Sequence, residues 1–182
     1  MTYTSVYRSD LTTIDLRSKN EILDIPTHEE YGYNDFQIHI KSLVTQLKDQ
    51  NIDYMVGVSR GGCIPAVVLS HALSIPVTMI DHTTRDGVNL NPVDLRDYFK
   101  YVTKKIGSNK NILIVDDIID NGSTIMELLN VSNIFYNVSV ACLLYNENVV
   151  TGVDVFYGRK YNRRIEKQYF NFWWETMSKE KS

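Results

Sequence analysis

The chain has little that would mark a special environment. Only two cysteines stand among its 182 residues, Cys63 and Cys142, both inside apolar runs and neither at a metal-ligand spacing. They read as reduced core thiols of a cytoplasmic protein, and a chain of this size needs no disulfide or metal staple. No apolar run approaches the ~20 residues of a membrane span. The opening MTYTSVYRSD lacks the basic-then-apolar order of a secretory leader. Charge of one sign is not in excess: 19 Lys and Arg against 22 Asp and Glu leave a net −3, and the pI is near 5.8. That balance argues against a general nucleic-acid binder while leaving room for a local basic patch. Repeats and low-complexity linkers are missing as well.

What remains is the composition of an ordinary globular protein, 43% hydrophobic and 23% charged, with a length that suggests one domain and perhaps a small extra lobe. Residues 2–7 and 12–16 have some strand character. From Tyr33 the period turns helical, with Phe36, Ile40, Leu43 and Leu47 on one face, Asn34 as N-cap and Asp35 in the first turn. Residues 54–58 and 76–80 form short apolar strands around a helical stretch at 64–73. Gly61 and Gly62 break the first strand from that helix, and Pro65 falls in its first turn. Leu95, Phe99, Val102 and Ile106 recur at helical spacing. Strands follow at 112–115, 138–144 and 153–157, with a helix at 123–130. The end, YFNFWWE, is an aromatic cluster.

Strands that alternate with helices, each a continuous apolar run, predict an α/β fold: a mostly parallel twisted sheet with helices on both faces. Ligands of such sheets bind beyond the carboxyl ends of the strands. Ser59-Arg60-Gly61-Gly62 and the stretch DDIIDNGST, Asp116 to Thr124, should therefore meet on one edge.

The second stretch carries the chemistry. Asp116 and Asp117 are adjacent carboxylates, which repel unless something positive or hydrogen-bonding lies between them. A divalent cation or a sugar diol would serve; solvated strand-end acids are the plain alternative. Asn121, Gly122, Ser123 and Thr124 head a helix, where unpaired amides and hydroxyls can seat a phosphate, although an unliganded cap would look similar. Together the two halves describe a sugar phosphate. Ser59, Arg60 and Gly61 could hold a pyrophosphate through backbone amides and a guanidinium. A nucleoside triphosphatase is excluded because no G-x-x-x-x-G-K-[ST] loop exists, and a dinucleotide fold because G-x-G-x-x-G is absent. A phosphoacceptor receiver would carry its acid pair on the first strand.

The run ILIVDDIIDNGST resembles the signature of the type I phosphoribosyltransferases, with Asn121 where Thr or Ser is usual. VSRGG before an apolar helix, DF at the opening of the preceding helix, and WWE near the end resemble the xanthine-guanine, purine-specific branch. The likeness covers roughly residues 33–175, with the core at about 33–160 and a small hood from 1–32 and about 161–182. It implies transfer of ribose-5-phosphate from phosphoribosyl pyrophosphate (PRPP) to a purine, with guanine, xanthine or hypoxanthine favoured, release of pyrophosphate, and Mg²⁺ as cofactor.

By the same resemblance, Asp116 and Asp117 hold the ribose hydroxyls directly or through Mg²⁺-bound water. Asp120 exchanges a proton with the base, and Arg60 belongs to the catalytic group. Asn121 to Thr124 seat the 5′-phosphate. Ser59, Arg60 and Gly61 form the pyrophosphate loop, where the family often has a strained non-proline cis peptide. Residues 82–91 match a mobile lid. Tyr169 stacks on the base, Phe170 offers backbone contacts, and Asn146 stands where purine-specific members read the 6-oxo group with a lysine. Core packing is the alternative for each ring of the aromatic tail. A homodimer or higher homo-oligomer is expected. The basic run GRKYNRRIEK reads as a solvated face or interface, with a phosphate or RNA contact as the alternative. Two other functions stay open at this point: a non-catalytic PRPP or nucleotide sensor, and a phosphoribosyltransferase for a pyrimidine or unusual base.

Overall fold

The computed structural model describes residues 27–82, 84, 94–166 and 168–176. The strands expected at 2–7 and 12–16 lie outside these residues, as does the lid expected at 82–91 apart from His82 and Thr84.

Five strands form one wholly parallel sheet: β2 (Tyr54–Val58), β3 (Val77–Ile80), β4 (Asn111–Ile119), β5 (Asn137–Asn146) and β6 (Val155–Tyr161). Their spatial order is β3-β2-β4-β5-β6. From β2 the chain moves outward to β3. It then crosses back to β4 and moves outward the other way. The crevice between β2 and β4 is therefore the topological switch point, where connections leave in opposite directions and ligands of open α/β sheets bind.

Alternation along the central strand serves both faces. Leu113 and Val115 point into a core shared with helices α1 (Tyr33–Leu47) and α2 (Ser59–Leu73). Ile112 and Ile114 point into a second core with α3 (Leu95–Ile106) and α4 (Ser123–Ser132). The buried residues of α1 are the four its spacing picks out: Phe36, Ile40, Leu43 and Leu47. Its N-cap is Gly32 and not Asn34, because Asp35 reaches back from the first turn to accept the Gly32 amide at 3.0 Å. In α3 the cap is a side chain, with Asp94 accepting the Asp97 amide at 3.1 Å.

Two boundaries differ from expectation in ways that matter for the site. Helix α2 begins at Ser59, directly after β2, and not at residue 64. Gly61 and Gly62 lie inside it, because what these glycines provide is close approach. A Cβ on Gly62 would fall 2.5 Å from the Val115 carbonyl oxygen and 2.8 Å from the Asp116 Cα. Pro65 consequently stands one turn further in, and leaves the Gly61 carbonyl without its usual helical donor. The other boundary is in β4, which runs on through Asp116 and Asp117 to Ile119, because β5 continues beside it with Asp116 opposite Cys142 and Ile119 opposite Tyr145. On its other side, pairing with β2 ends at Gly57 opposite Val115. The acids thus sit within a strand that has lost one neighbour, and the start of α2 covers the gap.

A second, two-stranded parallel sheet pairs β1 (Thr27–Tyr31) with β7 (Gln168–Phe172). Short helices α5 (Arg163–Glu166) and α6 (Trp173–Thr176) flank β7. The aromatic tail closes over the α1 side of the core: Phe172 stacks on Trp174 with centroids 4.6 Å apart, and Phe36 meets Trp174 edge-on at 5.8 Å.

Candidate active site

The two stretches expected to converge do so. A Cβ on Gly61 would lie 2.1 Å from Asp117 Oδ2, so the Gly61 backbone rests directly against that carboxylate. Ser59, just before it, has φ 48°, a left-handed conformation that is strained for a side-chain-bearing residue and recurs at functional loops. Its hydroxyl donates to the His82 carbonyl. No cis peptide occurs among the described residues, so the one that the resemblance implied at Ser59 to Gly61 is not found there. Arg60 is exposed at the mouth.

Asp116 is buried, and its Oδ1 accepts the Asp117 amide at 2.9 Å; Asp117 Oδ1 accepts the Ile118 amide at 2.9 Å. Burial, and after it the Asp117 charge, push the Asp116 carboxyl well above the usual carboxylate range. Burial likewise raises Asp117, against the backbone and side-chain hydrogen bonds that lower it, and the Glu175 charge adds to the rise. Such a pair is short of positive charge. Among the described residues no group of three or more potential ligands could cage a metal alone. Two adjacent carboxylates nevertheless suit Mg²⁺, which keeps several waters and would lean on substrate oxygens as well.

At the head of α4, Gly122 has φ 80°, which favours glycine. Its own Cα side is covered, since a Cβ there would meet Val149 at 2.6 Å. The flanking Asn121 is exposed, with Ser123 and Thr124 half-buried. Asn121 Oδ1 accepts both the Ser123 amide (2.9 Å) and the Ser123 hydroxyl (2.7 Å). Thr84 Oγ1 lies 2.7 Å from Ser123 Oγ and 2.8 Å from Thr124 Oγ1. Asn121 and Thr84 thus hold donors that an incoming phosphate could take over. His82, buried beside this turn, bonds Glu127 of α4 through Nε2 at 2.9 Å.

Asp120 stands between the two halves. Its Oδ1 accepts the Tyr161 hydroxyl at 2.7 Å, its Oδ2 accepts Arg163 Nη1 at 2.5 Å, and its backbone oxygen accepts Asn146 Nδ2 at 2.7 Å. Asn146 is buried, and its Oδ1 takes the Asn148 amide at 3.2 Å and Asn148 Nδ2 at 3.0 Å. Both ends of this amide are therefore engaged inside the protein, in a place that braces Asp120. Tyr169 keeps an exposed ring, 45% accessible, with His28 stacked on it at 5.7 Å and the Arg163 guanidinium carbon 4.9 Å from its centroid. The Phe170 ring is buried edge-on against Tyr161, which leaves its backbone on the strand.

Sequence reasoning missed Tyr161, Arg163 and Thr84. For Arg163 the available signal was slight. It lies in a basic run whose members have separate fates: Arg159 pairs with Glu29 and Lys160 lies over Tyr157. Only the tertiary fold turns Arg163 toward Asp120.

Comparisons with known proteins agree with this fold. The family profile described as the phosphoribosyl transferase domain matches residues 32–152. A xanthine phosphoribosyltransferase of Leuconostoc mesenteroides is 29% identical over 102 residues, 51% of this chain and 54% of its own length. The chain thus spans about half the length of the curated relative it matches. A purine phosphoribosyltransferase structure from Pyrococcus horikoshii is 27% identical, with a TM-score of 0.61 over 81% of this chain and 94% of that one. A xanthine-guanine-hypoxanthine phosphoribosyltransferase structure from Helicobacter pylori, 22% identical, shares the fold with a TM-score of 0.58 over 81% of this chain and 93% of its own. The matched span includes α2's glycine start, the acid-bearing strand β4 and the Gly122 turn, and on that ground the chain belongs to the phosphoribosyl transferase domain family.

Proposed function

We propose that this protein transfers ribose-5-phosphate from PRPP to a purine base, with 6-oxopurines favoured, and releases pyrophosphate. The observation that carries the reading is the contact of the Gly61 backbone with Asp117 at the switch point. It joins the first turn of α2, the part proposed for pyrophosphate, to an acid pair, with a helix head proposed for the phosphate further along the same chain segment as the acids.

In this reading Asn121, Gly122, Ser123 and Thr124 seat the 5′-phosphate, the phosphate displacing Thr84 and the Asn121 oxygen from the Ser123 and Thr124 donors. Asp116 and Asp117 accept from the ribose hydroxyls or from metal-bound water. Bound Mg²⁺ supplies positive charge against the growing charge of pyrophosphate, an effect worth several kcal/mol. Ser59, Arg60 and Gly61 hold the departing pyrophosphate. The bond from the anomeric carbon to pyrophosphate oxygen breaks, and its electron pair leaves with pyrophosphate. A ring nitrogen of the base bonds to the same carbon. The proton that the base sheds passes to the Asp120 carboxylate. Tyr169 stacks on the base, Phe170 contributes its backbone, and Asn146 fixes Asp120 from behind.

Incubation with PRPP, Mg²⁺ and each of guanine, hypoxanthine, xanthine, adenine and a pyrimidine, followed by pyrophosphate release, tests this directly. Turnover with at least one 6-oxopurine, above that with adenine, is expected. PRPP binding without turnover on any base would replace transfer by sensing.

A further inference from the structure

We propose that Arg163 is the residue that reads position 6 of the base, and that it makes the site select an oxo group over an amino group. The inference rests on the purine-transfer reading above and names its specificity determinant. Asn146 is buried and held as a brace, with one N–H of its NH2 group donating to the Asp120 carbonyl and its oxygen accepting from Asn148. Arg163 stands in the open place instead. Its Nη1 donates to Asp120 Oδ2 at 2.5 Å while its guanidinium carbon lies 4.9 Å from the Tyr169 centroid. It therefore bridges the carboxylate that would exchange the proton and the ring that would stack the base.

Purine geometry gives this bridge a meaning. The ring nitrogen N7 and the substituent at position 6 lie on one edge of the base. A carboxylate facing N7–H places whatever is bonded to that carboxylate next to position 6. A guanidinium there has N–H donors and no acceptor. It completes a pair with an oxo group, as arginine does on the O6 and N7 edge of guanine in DNA. An amino group would set donor against donor and leave desolvated N–H groups unpaired, the mismatch that polar sites reject most strongly. Planarity suits the role too, since the guanidinium can stay against Tyr169 while the base slides beside it.

The neighbours hold Arg163 in register without occupying its role. Tyr161 fills the other oxygen of Asp120 at 2.7 Å, and the Arg163 amide makes a long contact, 3.4 Å, with Asn146 Oδ1. Arg163 also lies beyond residues 32–152, so the family match does not supply it.

The test compares the parent with Arg163→Gln and Arg163→Lys. For each, kcat/KM is measured with hypoxanthine and adenine at saturating PRPP, and equilibrium binding of inosine 5′-monophosphate and adenosine 5′-monophosphate is measured by calorimetry. The parent should prefer the oxo ligand in both measurements. Arg163→Gln, which can accept as well as donate, should lower the oxo-to-amino ratio by about tenfold or more, the scale of one hydrogen bond to a charged group, with the KM for PRPP unchanged. Arg163→Lys should keep part of the preference. A ratio unchanged in Arg163→Gln, or equal loss on both ligands, would overturn the proposal and leave Arg163 a brace for Asp120. A parent without turnover would sink the transfer reading, while the two nucleotide affinities would still decide the role of Arg163.

Discussion

Asp120→Asn should cut turnover roughly 10²–10⁴-fold, the usual worth of a positioned general base, and leave PRPP affinity nearly unchanged. The geometry separates the two effects. Asp120 is bonded to Tyr161 and Arg163, on the side proposed for the base, whereas the sugar phosphate is assigned to Asp116, Asp117 and the Gly122 turn. The new amide can accept Arg163 through its oxygen and donate to the Tyr161 hydroxyl oxygen through its NH2, so the pocket keeps its shape, but it cannot take up a proton. Steady-state pyrophosphate release gives the first quantity and calorimetric titration with PRPP and Mg²⁺ the second. Collapse of PRPP binding would mean that Asp120 holds the sugar and not the base.

Asp116→Asn should do two opposite things: stabilise the ligand-free protein at neutral pH and abolish its stabilisation by PRPP with Mg²⁺. Burial and the neighbouring Asp117 charge raise the Asp116 carboxyl, so the folded state binds its proton more tightly than the unfolded chain does. Stability therefore falls as the pH climbs from the ordinary carboxylate range, about 4, through the raised folded value. At pH 7 keeping the two acids buried side by side opposes folding, and replacing Asp116 removes its share of that opposition. The new amide can also donate to Asp117. Melting curves of the parent should show the decline between acid and neutral pH, and curves of the variant should be flatter. With ligand at a hundred times its Kd, the parent should gain about 2.7 kcal/mol and the variant close to nothing. A variant less stable at pH 7, yet still stabilised by PRPP, would contradict both halves. Retaining a costly charge pair for binding is the familiar trade of stability against function.

The sheet, its order of elements and the meeting of the two loops were legible in the chain because each rests on a local pattern. Continuous apolar runs specify buried parallel strands, and the spacing of Phe36, Ile40, Leu43 and Leu47 specifies a helical face. What could not be read depends on neighbours distant in sequence. β4 continues through Asp116 and Asp117 only because β5 runs beside it. Helix α2 takes in Gly61 and Gly62 because β4 crowds them, Gly61 through the Asp117 carboxylate and Gly62 through the Val115 and Asp116 backbone; from sequence alone a glycine pair reads as a break. The Asp35 carboxylate moved the cap of α1 to Gly32, an exchange between side chain and main chain that composition does not announce. Asn146 could be aligned with a base-reading position, but its amide is engaged by Asp120 and Asn148 in the folded chain. Arg163 carried no periodic signal, since a short helix after β6 sets its direction. The stretches proposed for phosphate and sugar are thus contiguous motifs, whereas the residues proposed for the base are scattered along the chain.

The most direct measurement is a crystal structure with inosine 5′-monophosphate and Mg²⁺ bound. The account predicts the phosphate oxygens on the amides and hydroxyls of residues 122–124, the ribose hydroxyls toward Asp116 and Asp117, and the base between Tyr169 and the Asp120–Arg163 pair. A nucleotide bound elsewhere, or seated with its ribose turned away from both aspartates, would contradict it.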